Sequence, residues 1–236
     1  MNEAAEHTVR ATLDKDPEDV SAMFDQVAGR YDLTNNLISL GQVHLWRAAL
    51  NQAAHIKKGV SVLDVAAGTG TSSAALMAAG AAVTAVDLSR GMIAKGEALH
   101  PEVDFVLGSA TDLPFPADAF DVATISFGLR NIADTEGALK EMVRVVKPGG
   151  QVLVLEFSKS PRLVRPFHDA YLRFAAPFLA KLASPAGEAY DYLSESIFDW
   201  HDQASLAALM REAGLRDVEY RNLTFGAVAI HRGTKP

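Results

Sequence analysis

The chain has 236 residues, 49% of them hydrophobic, no cysteine and a formal net charge of −7. That length fits one α/β domain with a modest addition, and the apolar fraction is enough for a sizeable core. The acidic balance excludes a protein that grips nucleic acid by broad phosphate neutralisation, and the lack of cysteine excludes disulfides, thiolate metal sites and cysteine nucleophiles.

Residues 1–16 are polar, with Asp14, Lys15 and Asp16 before Pro17, and read as a poorly ordered tail without a secretory signal. Helical spacing predicts helices over 18–27 and 42–56, the second with Leu45, Ala49, Leu50 and Ala53 along one stripe. Between them lies the unusual run from Tyr31 to Asn36. Residues 60–65 read as a short strand ending in glycines, followed by a helix over 72–79 and a strand over 83–86. The stretch from Val65 to Val86 carries no formal charge and is long enough to span a bilayer, but Gly68, Gly70, Gly80 and its hydroxyl residues break it into strand, loop, helix and strand.

The alternation continues with a helix at 91–99, strands at 103–107 and 122–127, and a helix at 135–146 stopped by Lys147-Pro148-Gly149-Gly150. A strand over 152–157 follows, then a mainly helical region at 159–198, a helix at 204–213, and segments at 217–223 and 227–231 suited to an antiparallel edge. The expected architecture is α/β, a doubly wound and mostly parallel sheet. One domain is expected over 1–236, divided into a tail (1–16), N-terminal helices serving as a lid (17–57), a cofactor-binding core (58–158), a helical cap (159–200) and a C-terminal helix with strands (201–236).

The first strand runs through Asp64 into Ala66-Ala67-Gly68-Thr69-Gly70, a small-residue turn where backbone can approach a ligand closely at a helix N-terminus. Asp87, with Leu88 after it, ends the next strand, where a carboxylate can accept hydrogen bonds from both ribose hydroxyls. A dinucleotide site would use the same acid. Its G-x-G-x-x-G fingerprint, however, requires glycine at position 73, which is Ser73. Ser109 and Ala110 follow the third strand, Ser126 lies in the fourth, and this set resembles the class I methyltransferases that use S-adenosyl-L-methionine.

More specific segments are Tyr31-Asp32-Leu33-Thr34-Asn35 through Trp46-Arg47, Thr124 through Asn131, Arg144 through Ser158, and Asn222-Leu223-Thr224 through Gly233. On these the chain resembles the ubiquinone and menaquinone biosynthesis C-methyltransferases over about 20–235. The resemblance implies cofactor contacts at Thr69, Asp87, Ser109, Ala110 and Ser126, within a wider expected set that adds Asp64, Gly68, Gly70 and Leu88. The family pattern often has a histidine three residues before the tryptophan. Here that position is Val43 and His44 is displaced by one, so this histidine is a doubtful proton acceptor.

Methylation at carbon needs an electron-rich ring held beside the cofactor, which a hydroquinone provides and an oxidised quinone does not. The implied acceptor is a prenylated quinol, demethylmenaquinol or the ubiquinone-pathway benzoquinol; other readings are a methyltransferase with another small acceptor or a non-catalytic quinone-binding component. Arg130 is expected to stabilise a phenolate and Asn131 to position it, arginine being a poor base. Tyr31 and Asp32 either close the site from the lid or form a turn packed on the sheet. His168 and His201 stand outside any motif and are set aside, and no metal-ligand spacing occurs.

Residues 159–181 hold Lys159, Arg162, Arg165, Arg173 and Lys181 against Asp169, with aromatic residues between them. They suit either peripheral contact with anionic lipid or an ordinary cap over the cleft. The expected location is cytoplasmic, at most peripheral to the inner face of a membrane. A homodimer is among the expected assemblies, and nucleic acid is not an expected partner.

Overall fold

The computed structural model describes residues 11–183 and 187–236, with side chains described outside 181–191. Asp16 caps the first helix, α1 (Pro17–Val27), by accepting the amides of Glu18 and Asp19, while Pro17 brings no amide to satisfy. Upstream, Ala11 is buried against Val20, Met23 and Tyr192. The loose tail expected through residue 16 therefore does not extend over 11–16, and 1–10 lie outside the described residues. The run beginning at Tyr31 is helical, α2 (Tyr31–Ile38), and a turn through Leu40 and Gly41, both at positive φ, leads into α3 (Gln42–Ala53).

The strands and helices then alternate: β1 (Ser61–Val65), α4 (Thr71–Ala78), β2 (Ala82–Asp87), α5 (Arg90–Leu99), β3 (Asp104–Leu107), β4 (Phe120–Ser126), α6 (Thr135–Val145) and β5 (Val146–Phe157). A helical rod follows, made of α7 (Arg165–Ala170), a π-helical turn (Tyr171–Ala175) and α8 (Ala176–Ala183). The chain ends with α9 (Gly187–Asp199), α10 (Gln203–Glu212), β6 (Arg216–Leu223) and β7 (Val228–Thr234). All seven strands form one sheet in the order β3-β2-β1-β4-β5-β7-β6, parallel except that β7 runs against both β5 and β6. This is the doubly wound, mostly parallel sheet that the alternation predicts.

Its central strands are apolar on both faces because helices cover both. Val62 packs with Trp46, Leu50 and Leu76 on one side, while the next residue, Leu63, packs with Leu139, Met142 and Met210 on the other. One boundary differs from expectation. Residues 147–150 were expected only to stop α6, yet β5 already starts at Val146. Phe120 pairs with Val146 and Val122 with Gln151, so the intervening residues bulge out of the pairing. Gly149 at φ +78 makes that bulge possible, and a Cβ on Gly150 would lie 2.5 Å from the Asp121 carbonyl oxygen.

Chain order reverses between β1 and β4, which opens a crevice beyond their C-terminal ends. Among the described residues no helix is long and apolar enough to cross a membrane.

Candidate active site

The crevice is lined by backbone under constraint. Ala66, just past β1, has φ +50 and Phe127, just past β4, has φ +58, conformations that side chains other than glycine rarely adopt and that cluster at functional sites. A Cβ on Gly128 would come 2.6 Å from that of Ala66, so the two strand ends touch here. Gly68 has φ +59, and the Tyr31 ring lies 3.9 Å from where its Cβ would be.

A cavity of about 210 Å³ opens on the β2 side of this junction. Gly68, Asp87, Leu88, Ser109, Ala110 and Ser126 all line it. One carboxylate oxygen of Asp87 accepts the Gly68 amide at 2.7 Å and the other accepts the Ser89 amide at 2.8 Å. Desolvation pushes this carboxyl above its usual range, and the amides of Ser89, Gly68 and Leu88 pull the other way. Asn131 joins the lining, and its Oδ1, like the Ser126 hydroxyl, is buried without a hydrogen-bond partner among the described residues. Unpartnered polar atoms beside a carboxylate and a Cβ-free turn fit a nucleoside with a polar tail, as in S-adenosylmethionine.

Three residues expected at the cofactor or the chemistry do other work. Asp64 is fully buried beneath the turn, accepting the Ser73 hydroxyl at 2.7 Å and the Thr124 hydroxyl at 2.9 Å. Burial raises its carboxyl to about 6, with those hydroxyls opposing the shift. Asp64 thus pins α4 to β4, and Ser73 serves this bond at the position where a dinucleotide fingerprint has glycine. Gly70 at φ +74 makes room for the Phe105 ring, 2.4 Å from an added Cβ, and faces neither cavity. Asp32 accepts hydrogen bonds from Thr69 at 2.8 Å and Thr71 at 3.0 Å, so it ties α2 to the turn and lies in neither lining.

A second cavity, about 290 Å³, adjoins the first, and Tyr31, Ala66, Gly68, Ser126 and Phe127 line both. Thr69 belongs to this second lining. Trp46, Phe127 and Phe157 form its aromatic wall, with Trp46 and Phe157 centroids 5.6 Å and 5.1 Å from that of Phe127. The Trp46 indole donates to the Thr224 hydroxyl at 2.8 Å, which fixes the ring. Tyr31 packs edge-on against Phe24, and burial raises its phenol, which stays protonated near neutrality.

Arg130 lines the second cavity, but not as the unpaired cation that phenolate binding calls for. Its Nη1 donates to Glu156 at 2.9 Å and to the Phe127 carbonyl at 2.5 Å, and both side chains of the ion pair are almost wholly buried. Glu156 also accepts the Arg130 and Phe157 amides, while the Arg130 Nε is buried without a hydrogen-bond partner among the described residues. Sequence reasoning passed over Glu156; the available signal was a lone acid ending an apolar strand. His168, set aside earlier, lines the same cavity, and desolvation lowers its imidazole below 6.5, so the ring is neutral at pH 7. His44 is exposed on α3, and His201 stacks edge-on against Trp200 away from both linings.

Comparison with known proteins adds a family. Residues 12–235 match the model of the ubiE/COQ5 methyltransferase family. The chain is 52% identical over 232 residues to a demethylmenaquinone methyltransferase of Clavibacter sepedonicus, covering 97% of this chain and 95% of the relative. It is 53% identical over 229 residues to one of Beutenbergia cavernae, covering 96% and 95%. In fold it is similar to a phosphoethanolamine N-methyltransferase of Haemonchus contortus solved with S-adenosylhomocysteine, with a TM-score of 0.68, 20% identity and coverage of 96% of this chain and 61% of that one.

Proposed function

The chain belongs to the ubiE/COQ5 methyltransferase family, and from that premise we propose that it methylates a ring carbon of demethylmenaquinol, forming menaquinol. It is an S-adenosylmethionine-dependent methyltransferase. The observation that carries the acceptor reading is the junction of the two cavities. The one holding Asp87 meets the one walled by Trp46 and Phe157 at Gly68, Ser126 and Phe127, where a ring carbon and a sulfonium methyl can lie in line.

S-adenosylmethionine, when bound, supplies an electrophilic methyl group. Asp87 would accept from its ribose hydroxyls, and the turn at Gly68 would admit its tail against backbone. Trp46, Phe127 and Phe157 hold the flat acceptor ring and exclude water. As the phenolic proton leaves, electron density moves to the adjacent ring carbon; the carbon–methyl bond forms while the sulfur–methyl bond breaks. Loss of the proton on that carbon and return of one to oxygen restore the aromatic ring, so one proton is released overall. His168, neutral and facing the cavity, is the candidate to take the phenolic proton. The Arg130–Glu156 pair supports the wall behind Phe157, with the guanidinium 5.1 Å from that ring.

An anaerobic assay with labelled S-adenosylmethionine against reduced and oxidised demethylated naphthoquinones and benzoquinones tests this reading. Label should enter the reduced naphthoquinol. Equal incorporation into the oxidised quinone, or none into any quinol, overturns it.

A further inference from the structure

The rod formed by α7, the π turn and α8 has two different faces. Its inner face closes the aromatic cavity: Val164, His168, Tyr171 and Leu172 line it, and the Tyr171 hydroxyl donates to the Ile38 carbonyl of α2. The π turn is itself held from behind, where Ser194 of α9 donates to the Leu172 carbonyl at 3.0 Å. The outer face is apolar and, among the described residues, uncovered. Leu163, Phe167, Phe174 and Phe178 are between 63% and 86% exposed, and with Ala170 they recur every three or four residues as a single helical stripe. Two further exposed apolar side chains, Leu40 and Phe225, sit at the edge of the cavity they line. Aromatic rings left in water in such number mark a surface that meets something.

Charge identifies what it meets. The protein carries −7 overall, yet residues 159–180 hold Lys159, Arg162, Arg165 and Arg173 against Asp169 alone, a local +3 (4 − 1). A second copy placed on this face about a two-fold axis would bring two sets of the exposed Arg162, Arg165 and Arg173 together. An anionic lipid surface satisfies both features at once, with headgroups for the guanidinium groups and acyl chains for the phenyl rings. We propose that this face docks on an anionic bilayer, so that the cavity behind the rod opens toward lipid. A prenylated acceptor then reaches the cavity without its tail crossing water. That purpose rests on the proposed acceptor, whereas the docking is measurable without any quinol.

The full chain is floated with quinol-free vesicles of phosphatidylcholine, or of phosphatidylcholine and phosphatidylglycerol in equal parts, at low and high salt. It should float with the anionic vesicles at low salt and roughly tenfold less in high salt or with the neutral vesicles. Phe174→Asp with Phe178→Asp, and separately Arg162→Glu with Arg173→Glu, should each lower flotation by roughly tenfold. Both pairs should keep the far-ultraviolet circular dichroism of the unchanged chain and its turnover of a short-chain, water-soluble quinol. Absence of flotation with any vesicle overturns the proposal, as does flotation that both pairs leave intact. A dimer abolished by the phenylalanine pair, without flotation, assigns the face to a second copy and also overturns it. Flotation without turnover on any quinol supports the docking and removes the acceptor reading alone.

Discussion

Arg130 and Glu156 meet at 2.9 Å with both side chains almost wholly buried. Removing one partner leaves a buried charge uncompensated, at a cost of about 3–5 kcal/mol, whereas replacing both by apolar groups is far milder. Arg130→Met and Glu156→Gln should therefore each lower the urea midpoint sharply, and Arg130→Met with Glu156→Leu should recover most of the loss; additive losses would show that the pair is not a unit. His168 makes a different prediction. The base form is the useful one, so kcat/KM should rise with pH through a midpoint below 6.5 and then level. His168→Asn should abolish that step and lower kcat by roughly 10²-fold or more. A profile unchanged in the variant removes His168 from proton transfer.

The β1–α4–β4 unit is clamped by Asp64 through Ser73 and Thr124. Its carboxyl, ordinarily at 3.8, lies at about 6 in the fold, so the folded chain favours the neutral form. That contribution is complete below about pH 3.8 and is lost as pH rises through about 6, amounting to roughly 3 kcal/mol at ~1.4 kcal/mol per pK unit. Asp64→Asn should flatten this part of the dependence, measured as urea midpoints from about pH 4 to pH 7; an identical slope in the variant would exclude the buried Asp64 carboxyl as its source. Local spacing explains why most helices and strands were legible beforehand, each apolar stripe lying within one element, whereas α2, only eight residues long, was not read as a helix. The start of β5 was not legible, because its bulge depends on Gly150 meeting Asp121 of a neighbouring strand. Asp64 misled because adjacency to the glycine turn suggests ligand contact, while its side chain points under the turn.

At the scale of the molecule, the strand–helix alternation was enough to anticipate the sheet, and the acid ending β2 does line a cavity at its C-terminal edge. The division of labour among charged groups was not readable, since Arg130 and Glu156 become partners only when β4 and β5 lie side by side. His168 faces the cavity only once the rod has docked on α2. On the proposed site S-adenosylmethionine spans the assembled crevice rather than any single element, so it should stabilise the whole chain against unfolding. At a hundredfold its Kd the gain is about 2.7 kcal/mol, read as a melting temperature that keeps rising with the logarithm of concentration; no rise would mean that the folded chain does not bind it. Asp32 extends that unity further. It fastens α2, whose Asn35 and Ile38 face the acceptor, to the threonines of the cofactor turn. Descendants of this sequence cannot widen the acceptor side through α2 without disturbing the grip on the methyl donor, so changes in substrate size must be inherited as matched substitutions on both sides of that tether.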